Sequence, residues 1–238
     1  MTRTDNRAYY DAFAAGYDDD RDHGYHKLID DQAAAIVGRY ARGKDVLEVG
    51  CGTGLILERV AGLAHTARGI DLSPGMLAAA RGRGLDVDEG DATALPFADA
   101  AFDVAYSFKV LAHVPGWERA VAEMLRVVRP RGHVIFDAYN RHSLRYLIKR
   151  LFGPRATSSA FDEAAISTAF LSPREVLARV PAGAKVVETA GIRVFVPHPL
   201  LCRLPAIGPA LQNAEWAAMR SPLARFAGFF VVVLEKLG

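Results

Sequence analysis

Asp45-Val46-Leu47-Glu48-Val49-Gly50-Cys51-Gly52-Thr53-Gly54-Leu55 is the stretch on which the reading of this chain turns. A β-rich run breaks into glycines at every second position, and Leu55 to Gly62 then carries helical spacing. A strand that ends in Gly-x-Gly-x-Gly and turns at once into a helix brings bare backbone close to a ligand. Such a turn is a nucleotide-type cradle. The dinucleotide form is Gly-x-Gly-x-x-Gly, whereas here the third glycine comes one residue early and Glu48 stands two residues before the first. A pyrophosphate gains nothing from a carboxylate there, but a ligand with an ammonium and a sulfonium centre does. Asp71, 21 residues after Gly50, ends the next strand, where an acid can accept both hydroxyls of a ribose.

Working outward, the same strand-and-helix unit recurs. Ala67 to Asp71 reads as a second strand, Ser73-Pro74 as helix N-cap and first turn, and Met76 to Arg83 as the helix. Leu85 to Glu89 and Phe102 to Ser107 are further strands, Trp117 to Val128 is a helix, and Pro130-Arg131-Gly132 introduces a fifth strand, His133 to Asp137. Ala184 to Thr189 and Phe229 to Leu234 complete an α/β fold, a doubly wound and mainly parallel seven-stranded sheet covered on both faces.

The flanks differ from this core. Upstream, Leu28, Ala33, Ile36, Val37 and Tyr40 fall at helical spacing within Tyr25 to Tyr40, which predicts a helical lid. Downstream come a basic helix, Ser143 to Arg150, a loop, Gly153 to Ser159, and a helix from the Ser172-Pro173-Arg174-Glu175 cap to about Val180. The Pro-interrupted apolar stretch Val196 to Pro222 is expected to cap the sheet's active edge. One domain is expected, with a lid (1–41), a cofactor-binding core (42–138), a substrate cap (139–225) and a last strand (226–238).

Charge is uneven. Residues 1–138 carry 16 Lys/Arg against 21 Asp/Glu, and residues 139–238 carry 13 against 6, within a net charge of +2. The basic part suits an anionic substrate, a peripheral membrane contact or simply a solvated face. It has no dense Lys/Arg run, which argues against nucleic acid. Cys51 and Cys202 are too few for a disulfide framework and fit no metal spacing, so no metal is expected and a reducing cytoplasm is the simplest home. The longest apolar run, Phe226 to Leu234, is far short of the roughly 20 residues of a spanning helix. The start of the chain lacks the apolar run of a signal peptide. A monomer or homodimer is expected.

Taken together, these motifs resemble the class I S-adenosylmethionine-dependent methyltransferases, whose mark is an acidic Glu/Asp-x-Gly-x-Gly-x-Gly loop after the first strand. Val46 to Gly54 matches that loop without a gap. In family order follow Gly69-Ile70-Asp71-Leu72-Ser73-Pro74-Gly75-Met76-Leu77, Gly90-Asp91-Ala92-Thr93-Ala94-Leu95-Pro96-Phe97, Phe102-Asp103-Val104 and Leu125-Arg126-Val127-Val128-Arg129-Pro130-Arg131-Gly132-His133. The resemblance implies S-adenosyl-L-methionine as cofactor, with S-adenosyl-L-homocysteine as product. It assigns Glu48 and the backbone of Gly50, Cys51 and Gly52 to the methionine moiety and Asp71 to the ribose. Leu72 and Met76 would face the adenine, with core packing as the plain alternative. Asp91 and the Ala92 amide would meet its edge, and Ser107 and Phe108 would border the sulfonium.

Tyr9-Tyr10-Asp11-x-Phe13-Ala14-x-x-Tyr17-Asp18 is similar to the opening of the small-molecule branch that includes the ubiquinone- and menaquinone-biosynthesis methyltransferases. This implies Tyr9 and Tyr17 as lid residues, Tyr9 on the substrate side, and Arg21 as a carboxylate clamp; aromatics packing a helix on the sheet are the bland alternative. The branch further implies O- or C-methylation of a small molecule in quinone, polyketide or other secondary metabolism.

Methyl transfer is an in-line displacement, so positioning and water exclusion do much of the work. If the acceptor is a hydroxyl, His113, after strand four, is the candidate base or substrate contact. Tyr139, Asn140 and His142, just past strand five, are candidate acceptor contacts. Lys109 reads as snorkelling or ion-paired, and His198 and Trp216 as wall. N-methylation of an amine, an inactive cofactor-binding regulatory module and a nicotinamide-dependent dehydrogenase remain as alternatives, the last disfavoured by the glycine spacing and Glu48. The Asn/Asp-Pro-Pro-Tyr/Phe signature of many nucleic-acid methylating relatives is replaced by Ser107-Phe108-Lys109-Val110.

Overall fold

The structure, a computed structural model, describes residues 7, 10–11, 14–19, 21–152, 168–196, 199–205 and 207–238. Tyr9, the expected loop from Gly153 to Ser159 and His198 lie outside the described residues. The first long element is α1 (Gly24–Ala41), which buries Ile29, Ala33, Ile36 and Val37 against the sheet. There follow β1 (Asp45–Val49), α2 (Leu55–Ala61), β2 (Thr66–Asp71), α3 (Pro74–Gly82), β3 (Asp86–Glu89), β4 (Phe102–Ser107), α4 (Trp117–Val127) and β5 (Val128–Asn140). After α5 (Leu144–Phe152) come β6 (Phe170–Leu171), α6 (Pro173–Leu177), β7 (Ala184–Ile192), α7 (Ile207–Ala218) and β8 (Phe229–Lys236).

The sheet runs β3-β2-β1-β4-β5-β8-β7, with β6 paired to β5. Pairs among β1 to β5 are parallel, and β8 is antiparallel to both β5 and β7. Side chains alternate between faces as the pleat demands. Val46, Val104, Tyr106, Ile135 and Val231 pack under α1, while Leu47, Ala105, Val134, Phe136 and Val232 pack under α4. Burying each such side chain contributes about 1.5–3 kcal/mol, which explains why the strands read as apolar runs.

The sheet has eight strands rather than the expected seven. β5 outruns β4, whose pairing stops at Ser107 opposite Phe136, and β6 takes the vacated edge by pairing with Tyr139 and Asn140. Two residues are too short to show a period. The predicted helix to Val180 ends at Leu177, with the Ser172–Glu175 capping box formed as read. β7 stops at Ile192 opposite Phe229, the start of β8. The intervening stretch therefore leaves and rejoins the sheet at the carboxyl edge of the parallel strands.

Candidate functional site

The glycine loop is built from left-handed turns. Gly50 (φ 76°), Gly52 (φ 55°) and Gly54 (φ 84°) occupy the region open to glycine. A Cβ on Gly50 would strike Val110 and one on Gly54 would strike Leu85, whereas at Gly52 the space is open. The loop thus packs tightly below and is free at its crest.

Its amides point inward. The Gly50 and Cys51 N–H groups both donate to the Ile70 carbonyl (2.7 and 3.0 Å), and Gly54 N–H donates to Cys51 O (2.9 Å). Gly52 N–H donates to Asp71 Oδ2 (2.8 Å), while Asp71 Oδ1 accepts Ser73 N–H (2.9 Å). One carboxylate fastens both the glycine turn and the start of α3. Each of its oxygens keeps a further lone pair, the donor-free arrangement a ribose diol requires. The amides of Gly50, Cys51 and Gly52 are thus turned onto the end of β2.

Charge behind the loop agrees. Glu48 is 2% exposed and accepts a hydrogen bond from the Tyr106 hydroxyl at 3.2 Å. Burial holds its carboxyl well above the ordinary carboxylate range. Burial also raises Asp71, against the pull of the Ser73 and Gly52 amides. Both groups gain from a nearby cation.

The flanking residues divide. Leu72 is 42% exposed beside Asp71, while Met76 on α3 is 2% exposed. Asp91 is exposed and closes an Asx turn on Thr93 N–H (2.7 Å), with Ala92 half-buried next to it. Ser107 is fully buried and donates to Val49 O at 2.8 Å, lacing β4 to β1, and Phe108 is buried under α1. Cys51 packs into the cluster of Leu57, Leu77, Ala80 and Val87, where burial raises its thiol far above ordinary.

The entry segment is held by acids that the sequence reading missed. Asp11 accepts Ser73 Oγ and Gly75 N–H (3.0 Å). Asp18 accepts Thr53 Oγ1 (2.6 Å) and Arg83 Nη2 (2.7 Å). The Asp-rich composition of the first twenty residues was the available signal. Arg21 lies over the Tyr17 ring, 3.9 Å from its centroid, and donates to Tyr17 O (2.7 Å). A cleft of about 330 Å³ opens here, lined by Asp18, Arg21, Asp22, Leu55, Glu58, Arg59 and Arg83.

On the acceptor side, His113 is 6% exposed, with Nδ1 3.4 Å from Thr168 Oγ1 and its ring edge-on to Tyr139 at 5.5 Å. Tyr139 also meets Phe170 (5.7 Å) and Phe229 (5.0 Å), forming an aromatic floor. Asn140, expected among the acceptor contacts, is engaged by the backbone. It is fully buried, its Nδ2 donates to Arg225 O (2.8 Å) and Ala227 O (2.9 Å), and its Oδ1 accepts His142 N–H (2.9 Å). Its whole amide is used to tie β5 to the cap. His142 is exposed beside it, and Trp216 is 40% exposed. Lys109, with φ 62°, is ion-paired through Nζ to Asp30 Oδ1 at 2.6 Å. Among the described residues no group of His, Cys, Asp and Glu could hold a metal ion. Among them, too, no helix is long and apolar enough to cross a membrane.

A mainly parallel sheet whose carboxyl edge carries an inward-turned glycine loop, a buried acid behind it and an aspartate fastening it is the arrangement of α/β proteins that take nucleotide-type ligands at that edge. Residues 47–136 match the methyltransferase domain family. A ubiquinone biosynthesis O-methyltransferase of Burkholderia thailandensis is 32% identical over 188 residues, 75% of this chain and 79% of the relative. Another, of Thiobacillus denitrificans, is 41% identical over 113 residues, 44% of this chain. The chain spans about half the length of that and other curated relatives it matches, 49–53%. A solved Thermotoga maritima structure, titled a S-adenosylmethionine-dependent methyltransferase and possible histamine N-methyltransferase, has a TM-score of 0.73 at 21% identity, covering 96% of this chain and 99% of that one. At that identity the likeness speaks for the fold. The chain belongs to the class I S-adenosylmethionine-dependent methyltransferases, and within them it is similar to the ubiquinone biosynthesis O-methyltransferases.

Proposed function

We propose that this chain transfers the methyl group of S-adenosyl-L-methionine to a small-molecule acceptor, by O- or C-methylation of a quinone precursor, polyketide or related metabolite. The observation that carries the reading is the inward turn of the glycine-loop amides onto Ile70 O and Asp71, with Glu48 buried behind them. The open crest at Gly52, the exposed Leu72 and the spare lone pairs of Asp71 fit the nucleoside and methionine parts of that donor. When bound, the donor supplies a methyl group activated by a sulfonium.

The chain's own residues orient and dehydrate the reactants. Asp71 and Glu48 fix the donor end, Ser107 and Phe108 form the wall beside the transfer line, and Tyr139, Phe170 and Phe229, packed edge to face, give an aromatic floor for the acceptor. His113 borders that floor and takes the acceptor's proton if the acceptor is a phenol. The O-methyltransferase relatives favour that case over N-methylation of an amine. Two free cysteines, Cys51 and Cys202, both buried, suit a reducing cytoplasm.

The test is formation of S-adenosylhomocysteine with a panel of phenols, catechols and amines. Turnover is expected with phenolic or catechol acceptors and a drop of about 100-fold in kcat for His113→Ala. Tight donor binding without turnover on any acceptor class would favour the regulatory module instead.

A further inference from the structure

Asp137 lies on β5, next to Phe136, which pairs with Ser107 at the end of β4. Its Oδ1 accepts the Lys109 N–H at 2.8 Å, and its Oδ2 is buried without a hydrogen-bond partner, on a side chain that is 2% exposed. From the other side α1 brings Asp30, fully buried, whose Oδ1 holds Lys109 Nζ at 2.6 Å and whose Oδ2 is likewise unpartnered. Two buried carboxyls therefore hold one residue beside the Ser107–Phe108 turn, Asp30 through the Lys109 ammonium and Asp137 through its backbone amide.

The other charged and titratable groups around this cluster are few. Glu48 on β1 lies under the Tyr106 hydroxyl, and Asp71 on β2 is engaged by amides. His26, one turn before Asp30, is pushed down to about 4 by burial and by Arg21 and Lys109, so it is neutral. Arg21 lies on Tyr17, Arg193 lies 4.8 Å over the Tyr25 ring, and β8 offers Val231 opposite Asp137. A buried carboxyl bonded through one oxygen only is favoured in its charged form by a further positive charge beside it.

We propose that Asp137 is the counter-charge of the donor's sulfonium, and so the residue by which the chain distinguishes S-adenosylmethionine from S-adenosylhomocysteine. The inference rests on the methyl-donor reading above. Both compounds carry the same ammonium, carboxylate, ribose and adenine, so Glu48 and Asp71 respond alike to each. They differ in the methyl group and in the positive charge it puts on sulfur. Without ligand, burial pushes Asp137 up to about 7, the Lys109 amide and charge opposing. A cation beside it favours the carboxylate and expels the proton. On methyl transfer the electron pair of the S–CH3 bond stays on sulfur, which becomes a neutral thioether, and Asp137 takes a proton back from solvent. The spent donor is then held less well.

The test is titration calorimetry of the full chain with each compound in two buffers of different protonation enthalpy. At pH 7 a group titrating at about 7 is half protonated, so S-adenosylmethionine should release up to about half a proton more than S-adenosylhomocysteine. At pH 9, where Asp137 is ionised beforehand, that difference should vanish. Asp137→Asn keeps an acceptor for the Lys109 amide. It should abolish the difference and lower the preference for the charged donor about tenfold, leaving S-adenosylhomocysteine affinity within about twofold. Equal proton release by both compounds at pH 7, or a difference that survives in Asp137→Asn, would overturn the proposal while leaving the donor reading intact. Binding of neither compound would remove both. Should the variant fail to fold, the comparison of pH 7 with pH 9 on the parent chain decides alone.

Discussion

The two halves of the sheet's carboxyl edge are fastened by different means. Around β1, β2 and β4 the fastenings end on the glycine loop: Asp71 ties Gly52 and Ser73, and Ile70 O takes the Gly50 and Cys51 amides. Around β5, β7 and β8 they end on the stretch between β7 and β8. Asn140 bonds to the carbonyls of Arg225 and Ala227, and the buried Glu215 of α7 accepts the amides of Val194 (2.7 Å), Phe195 (2.7 Å) and Val196 (2.8 Å). The first half pins a short strand-to-helix turn. The second pins a long stretch of chain to the end of the sheet.

Breaking the Glu215 fastening should have the largest effect on stability. Glu215→Ala leaves three amides without their acceptor and should cost about 5 kcal/mol, read as a lowered urea midpoint. Donor affinity should change little in whatever fraction stays folded, because no glycine-loop contact is touched.

Next in size is a pH effect at the border of the halves. Asp137 titrates at about 7 in the folded chain against an ordinary 3.8, so the folded form binds its proton more tightly. Its cost is nil below about pH 4, grows as the unfolded chain ionises, and is complete above about pH 7. Asp137→Asn should therefore be more stable than the parent at pH 8, by roughly 4 kcal/mol, and equal to it near pH 4. Urea titrations at the two pH values measure this.

The Asp71 fastening should show mainly in binding. Asp71→Asn removes the charge that organises Gly52 and Ser73 and should weaken donor binding about 30-fold, some 2 kcal/mol. Smallest is Leu72→Ala: at 42% exposure it should alter stability by less than about 0.5 kcal/mol while raising the donor Kd about threefold.

This contrast also explains what was legible in the sequence. β1 and β4 fall on the residues read from pattern, Asp45–Val49 and Phe102–Ser107, because each is an apolar run bounded by glycine or polar turns. The inward turn of the loop amides was not legible, since it depends on where the end of β2 lies in space. The position of Asn140 at the end of β5 is visible in sequence, whereas its partners, 85 and 87 residues away, are not. Asp137 was passed over as part of a strand. Its importance comes from Asp30 and Lys109, which only the packing of α1 onto the sheet brings near.

The central claim is that the cradle from Glu48 to Gly54, with Asp71, is built for a phosphate-free, positively charged nucleoside. Calorimetry of the parent chain against S-adenosylmethionine, S-adenosylhomocysteine and NAD tests it most directly. The account predicts one site that binds both sulfur compounds and no heat with NAD. Saturable binding of NAD, or silence toward both sulfur compounds, would contradict it.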